Sequence, residues 1–77
     1  MNSNEFLRLF EELLEVDPNT LSGNEILDDI EEWDSLTTIG FISLVDERYG
    51  FTVLPQQLAR CDTVQDLINL VSRQVPA

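Results

Sequence analysis

Apolar residues return at intervals of three and four along three stretches of this chain, the spacing that lines side chains up on one face of a helix. Across residues 4–16 they are Phe6, Leu9, Phe10, Leu13 and Leu14. After Ser35 an inward face is formed by Thr38, Phe41, Ile42, Val45 and Tyr49, at i, i+3, i+4, i+7 and i+11. After Thr63 the stripe is Val64, Leu67, Ile68, Val71 and Val75. In a chain of 77 residues these stripes have to cover one another. The expectation is an all-α four-helix bundle, three helices long and one short, forming a single domain over residues 1–77. A domain of this size buries only about 60% of the surface its unfolded chain exposes, which leaves little core for a catalytic cleft.

The punctuation between the stripes fits this reading. Asn2 or Ser3 is placed to cap the first helix, Glu5 suits its first turn, and Asp17-Pro18-Asn19 ends it. Residues 17–34 form a long connection, with Leu21, Ile26, Leu27 and Ile30 available to pin it to the core. Its second half carries six carboxylates, Glu25, Asp28, Asp29, Glu31, Glu32 and Asp34, with Trp33 just before the next helix. That helix runs to Tyr49 and stops at Gly50. Leu36, Ile39, Gly40, Ser43 and Glu47 share its second face, where exposed Leu36 and Ile39 suggest a docking surface. After the extended link of residues 51–54, Pro55 opens a short helix containing residues 56–59, with Leu58 pointing inward. Thr63 and Asp66 form a capping box, with Asp in place of Glu, and Pro76-Ala77 lie just past the last helix.

Charge narrows the partners. Fifteen acidic residues against four Arg, without Lys or His, give a formal net charge of -11. Such a chain repels nucleic acid and anionic membranes, and it is suited to weak, fast, salt-sensitive encounters with basic proteins. The polar start, without a signal-like run or the roughly 20 apolar residues of a membrane span, suggests a cytoplasmic monomer. Cys61 has no second cysteine to pair with, and without His the chain has few transition-metal ligands, so Cys61 is expected to be a packing residue. The acidic run is either a solvated loop or a partner contact. It lacks the residue pattern and central Gly of an EF-hand calcium loop.

Asp34-Ser35-Leu36 stands where the acidic loop meets a helix N-terminus, a place whose free N–H groups and dipole favour an anion such as a phosphodiester. Taken alone, the tripeptide reads first as a simple N-cap, by Asp34 or Ser35. A hydrolytic role for Ser35 is disfavoured, because the chain has neither His nor Lys to activate the hydroxyl. If Ser35 reacts, another protein must supply the base and the metal.

The order of features resembles the acyl carrier protein and peptidyl carrier protein family. The resemblance spans nearly the whole chain. It includes the first amphipathic helix, the long loop, and Glu31-Glu32-Trp33-Asp34-Ser35-Leu36. It continues through Asp46-Glu47-Arg48-Tyr49-Gly50, the link Phe51-Thr52-Val53, and the Thr63-Val64 helix start. It implies a free-standing, non-catalytic carrier in which a phosphopantetheinyl transferase, using coenzyme A and Mg²⁺, places a 4'-phosphopantetheine arm on Ser35. Asp34 and Leu36 would lie in the surface the transferase reads. Leu36, Ile39, Ser43, Asp46 and Glu47 would face loading and downstream enzymes that carry basic docking surfaces. Trp33 would either close over the loop as a lid or join that contact.

The arm would hold acyl or aminoacyl groups as thioesters, and some family members open a cavity for them between the second helix and the short third one. Thr37 and Gly40 stand where the fatty-acid-synthesis type usually has acidic residues, and Ser43 where it has a large apolar one. Gly40 also costs about 1 kcal/mol of helix propensity, which points to a close approach there. These departures favour a specialised pathway, such as polyketide, nonribosomal peptide, modified fatty acid or surface-polysaccharide biosynthesis. The alternative is an unmodified carrier-like module that binds a basic protein through Leu36, Ile39 and the acidic loop.

Overall fold

A computed structural model describes residues 2–74. The first helix, α1 (Ser3–Leu14), starts where the Asn2 side chain accepts the N–H groups of Asn4 (2.9 Å) and Glu5 (3.2 Å). It ends before the expected Asp17-Pro18 break. Glu15 takes a left-handed conformation (φ 59°), and the N–H groups of Glu15 and Val16 fold back to the carbonyls of Glu12 and Glu11, each at 3.1 Å. This is a Schellman turn built on glutamate rather than glycine.

The buried face of α1 differs from the predicted stripe. Phe6, Phe10 and Leu14 are buried as expected, but Leu7 and Glu11 join them, while Leu9 and Leu13 are only half-buried. The cause is a charged side chain on the inner face. The Glu11 carboxylate, 2% exposed, accepts the N–H groups of Asn19 (3.1 Å) and Leu21 (2.8 Å) and pairs with the Arg8 guanidinium at 2.7 Å. The chain leaving α1 is therefore folded back over the edge formed by Leu7, Glu11 and Leu14.

The long connection is tied down mainly by backbone. Leu21 and Leu27 are buried and Ile30 is half-buried, as predicted, but Ile26 is 50% exposed. Its main chain forms an isolated antiparallel bridge with Thr63. The flanking bonds run from Leu27 N–H to the Asp62 carbonyl (2.8 Å) and from Val64 N–H to the Glu25 carbonyl (3.0 Å). A single 3-10 turn (Leu27–Asp29) follows the bridge and leads to the second helix.

That helix, α2 (Ser35–Tyr49), stops at Gly50 as predicted, in the left-handed region at φ 69°, and of the two N-cap candidates it uses Asp34 rather than Ser35. Phe41 and Val45 are buried, and Thr38, Ile42 and Tyr49 are half-buried. Gly40 faces α1 so closely that a Cβ atom there would lie 2.8 Å from Leu13 Cδ1. The close approach implied by a mid-helix glycine is thus to a neighbouring side chain.

The short helix α3 (Pro55–Leu58) begins at Pro55, and the Gln57 side-chain oxygen accepts the Leu54 N–H at 2.9 Å. Val53 and Leu58 are buried beside it. The last helix, α4 (Val64–Gln74), opens with the predicted box: Asp66 N–H donates to Thr63 Oγ1 (3.2 Å) and Thr63 N–H to Asp66 Oδ2 (3.1 Å). Val64, Leu67, Ile68 and Val71 are buried. Val75, predicted for the same face, lies outside the described residues, as do Pro76 and Ala77. Phe6, Phe10, Trp33 and Phe41 meet at the centre, with Phe41 edge-on to Phe6 (5.9 Å), Phe10 (5.7 Å) and Trp33 (5.8 Å). The described residues form an all-α fold of four helices, as the periodicity predicts.

Candidate functional site

Ser35 is the first residue of α2, and it stands exposed at the helix N-terminus. What frees it is the residue before it. Asp34 is the cap: its Oδ1 accepts the Thr37 N–H at 3.0 Å, while Thr37 Oγ1 accepts the Asp34 N–H at 2.8 Å. Both halves of this box are made without the Ser35 side chain. Among the described residues nothing holds the Ser35 hydroxyl. The Thr37 N–H keeps the Asp34 carboxyl below its ordinary range, so it is ionised at neutral pH and turned into the helix end.

Thr37 and Thr38 stiffen the same turn. Besides its part in the box, the Thr37 hydroxyl donates to the Glu32 carbonyl at 2.9 Å, and the Thr38 hydroxyl donates to the Asp34 carbonyl at 2.7 Å. The junction between acidic loop and helix is therefore held on both sides of Ser35. The sequence pointed to Thr37 only as a missing charge. Its place three residues after an Asp N-cap was the signal for a capping role.

The surface around Ser35 has an apolar ridge and an acidic border. Leu36 is 77% exposed and Ile39 64% exposed, one turn apart on α2. Ser43, Asp46 and Glu47 are exposed further along the helix, and Glu31 and Glu32 are exposed in the loop. Trp33 is half-buried, packed at 5.4 Å from the Phe10 ring centre and against Phe41, which makes it a lid over the aromatic core.

One turn along α2 from Ser35, Thr38 lines an open cleft of about 330 Å³ between the 3-10 turn, α2 and α3. Leu58 and Pro55 give it apolar wall, and Asp28 and Asp62 give it polar rim. Cys61 lies at its edge with Sγ 3.5 Å from the Gln57 carbonyl. Burial first, and then the carboxylates of Asp66 and Asp62, push the Cys61 thiol up, so it is protonated at neutral pH and is a packing group rather than a nucleophile.

These features fit a phosphate-linked chain on Ser35: an uncommitted hydroxyl, a helix end that favours an anion, and an adjoining cleft with both apolar and polar walls. The chain has no His or Lys to act as a base, and among the described residues no three His, Cys, Asp or Glu side chains converge to hold a metal ion. Among the same residues no helix is long and apolar enough to cross a membrane.

A family model described as "Phosphopantetheine attachment site" matches residues 4–71. No curated protein and no solved structure matches the chain.

Proposed function

The chain belongs to the phosphopantetheine attachment site family, and from that premise we propose that Ser35 is the residue that carries the 4'-phosphopantetheine arm. The family is one of carrier proteins, which are non-catalytic, and its attachment site implies a covalently bound arm. When bound, the arm supplies a thiol on which acyl or aminoacyl groups travel as thioesters. The observation that carries the assignment is the free, exposed hydroxyl of Ser35 beside a helix cap that Asp34 and Thr37 complete without it.

In the loading step Ser35 Oγ forms a bond to the pantetheine-side phosphorus of coenzyme A. The pyrophosphate bond breaks, adenosine 3',5'-bisphosphate leaves, and the hydroxyl proton passes to a base on the transferase. The α2 N-terminus stabilises the resulting phosphodiester through its dipole. Leu36 and Ile39 give the transferase and the client enzymes an apolar contact. Glu31, Glu32, Asp46 and Glu47 steer basic partners towards it, with Ser43 on the contact and Trp33 holding the loop at its edge. The cleft beside Thr38 shelters the arm or its cargo.

Residues 1–77 act as one carrier domain. Its clients belong to a specialised pathway, such as polyketide, nonribosomal peptide, modified fatty acid or surface-polysaccharide biosynthesis. Thr37 and Gly40 support this reading, because they are committed to capping and to packing against Leu13. The recognition charge near Ser35 therefore sits in the preceding loop. The test is the intact mass of the chain after incubation with a promiscuous phosphopantetheinyl transferase, coenzyme A and Mg²⁺. One phosphopantetheine should be added to the native chain and none to Ser35→Ala, whereas a gain that persists in Ser35→Ala overturns the assignment.

A further inference from the structure

Two of the four arginines of this acidic chain, Arg60 and Arg73, line one cleft of about 280 Å³ between α3 and α4. Among the described residues the one ion pair joins Arg8 to Glu11, so neither guanidinium in this cleft forms an ion pair with a described carboxylate. Fifteen acidic residues could have supplied such partners.

Two other side chains on the wall each accept one hydrogen bond through the amide oxygen. The Gln57 oxygen accepts the Leu54 N–H at 2.9 Å, and the Asn69 oxygen accepts the Gln65 side-chain amide at 3.1 Å. Each residue keeps an NH₂ group free to donate to a ligand. Asp66, the one carboxylate in the cleft, has its Oδ2 held by the N–H groups of Asp62 (2.9 Å) and Thr63 (3.1 Å). The floor is apolar, with Leu70 half-buried and the Cys61 thiol protonated. Two cations and two amide donors thus surround an aliphatic floor.

We propose that the α3–α4 cleft binds the carboxylate end of a short aliphatic acid. Paired guanidiniums and amide donors match a carboxylate's acceptor-only oxygens, and Leu70 with Cys61 covers a short methylene chain. The cleft, at about 280 Å³, is just below the usual range for drug-sized ligand pockets, about 300–1,000 Å³, which restricts it to a short ligand. Cys61 also borders the cleft beside Thr38, so the two clefts adjoin. The acid has two sources: a free carboxylate, or the far end of a group carried on the chain's own arm. The second source rests on the Ser35 assignment and the first does not.

The experiment follows the Arg side-chain Nε–H and Leu70 methyl signals by NMR at fixed salt. In one arm the unmodified chain is titrated with glutarate and, separately, with neutral pentanamide. In the other arm the chain is loaded enzymatically with glutaryl- or pentanoyl-pantetheine. Glutarate should give saturable shifts at Arg60, Arg73 and Leu70 but not at Arg48, and pentanamide should give none. Arg60→Gln with Arg73→Gln should weaken glutarate binding about tenfold or more. The same shifts in the glutaryl-loaded chain alone, or in both arms, identify tethered cargo as a ligand, and shifts with free glutarate alone identify a free acid. No shift in either arm, equal shifts at Arg48, or binding unchanged in the double variant overturns the proposal. Should loading fail, the Ser35 assignment fails and the free-acid arm decides the cleft on its own.

Discussion

Removing the Glu11 carboxylate leaves the N–H groups of Asn19 and Leu21 without their acceptor and Arg8 without its ion partner. Glu11→Ala should therefore cost about 3 kcal/mol, read as a lower urea midpoint, and Glu11→Gln should cost less because one acceptor oxygen remains. A Glu11→Ala loss below about 1 kcal/mol would mean that Leu21 and Leu27 hold the loop unaided. The position was geometrically legible, four residues after Leu7 and three before Leu14. A carboxylate reads as solvent-facing, however, and Leu9 and Leu13 offered a more apolar stripe in its place. Gly40 was legible as a site of close approach, and the neighbour is Leu13. Gly40→Ala should change stability by no more than about 1 kcal/mol, because the propensity gain is offset by displacing the flexible end of Leu13. Gly40→Leu should cost about 2 kcal/mol by overpacking the same contact, again measured by urea unfolding.

Elements whose limits are written in adjacent residues were readable: Asp34 and Gly50 bound α2, Pro55 opens α3, and Thr63 with Asp66 opens α4. The end of α1 was not, because Glu15 adopts a conformation usually left to glycine, and an ordinary side chain gives no sign of it. Nor was the bridge between Ile26 and Thr63, since main-chain pairing across distant segments leaves no mark on residue type. Three carboxylates hold these junctions. The Thr37 N–H holds Asp34 below the ordinary range, and the Asp62 and Thr63 N–H groups do so for Asp66. For Glu25, burial acts upward but is outweighed by bonds from the Ser22 and Gly23 backbone. A carboxyl depressed in the folded state contributes stability that is complete above its unfolded pKa and is lost as pH falls through its folded one. Unfolding midpoints should thus decline once the pH drops below about 4. Asp34→Asn with Asp66→Asn should be less stable at neutral pH and less sensitive to acid. A double variant with the full acid dependence of the native chain would contradict this.

At the scale of the molecule, a net charge of -11 on 77 residues opposes compaction while it attracts basic partners. Sodium chloride should raise the thermal midpoint at pH 7 by screening this repulsion, and the gain should shrink near pH 4, about where carboxylates lose their charge. A midpoint indifferent to salt at pH 7 would place the charges too far apart to matter. The same view explains why Ser35 could be singled out from sequence. Asp-Ser-Leu alone is a helix cap, and only the whole order of helices, acidic loop and glycine stop made Ser35 the proposed acceptor. The geometry then sharpened the distinction, because Asp34 and Thr37 make the cap and leave Ser35 free. The most direct measurement is fragmentation mass spectrometry of the loaded chain after trypsin has released residues 9–48, a peptide that contains Ser22, Ser35 and Ser43. The account predicts phosphopantetheine on Ser35 alone, and an adduct mapped to Ser22, Ser43 or a threonine of that peptide would contradict it.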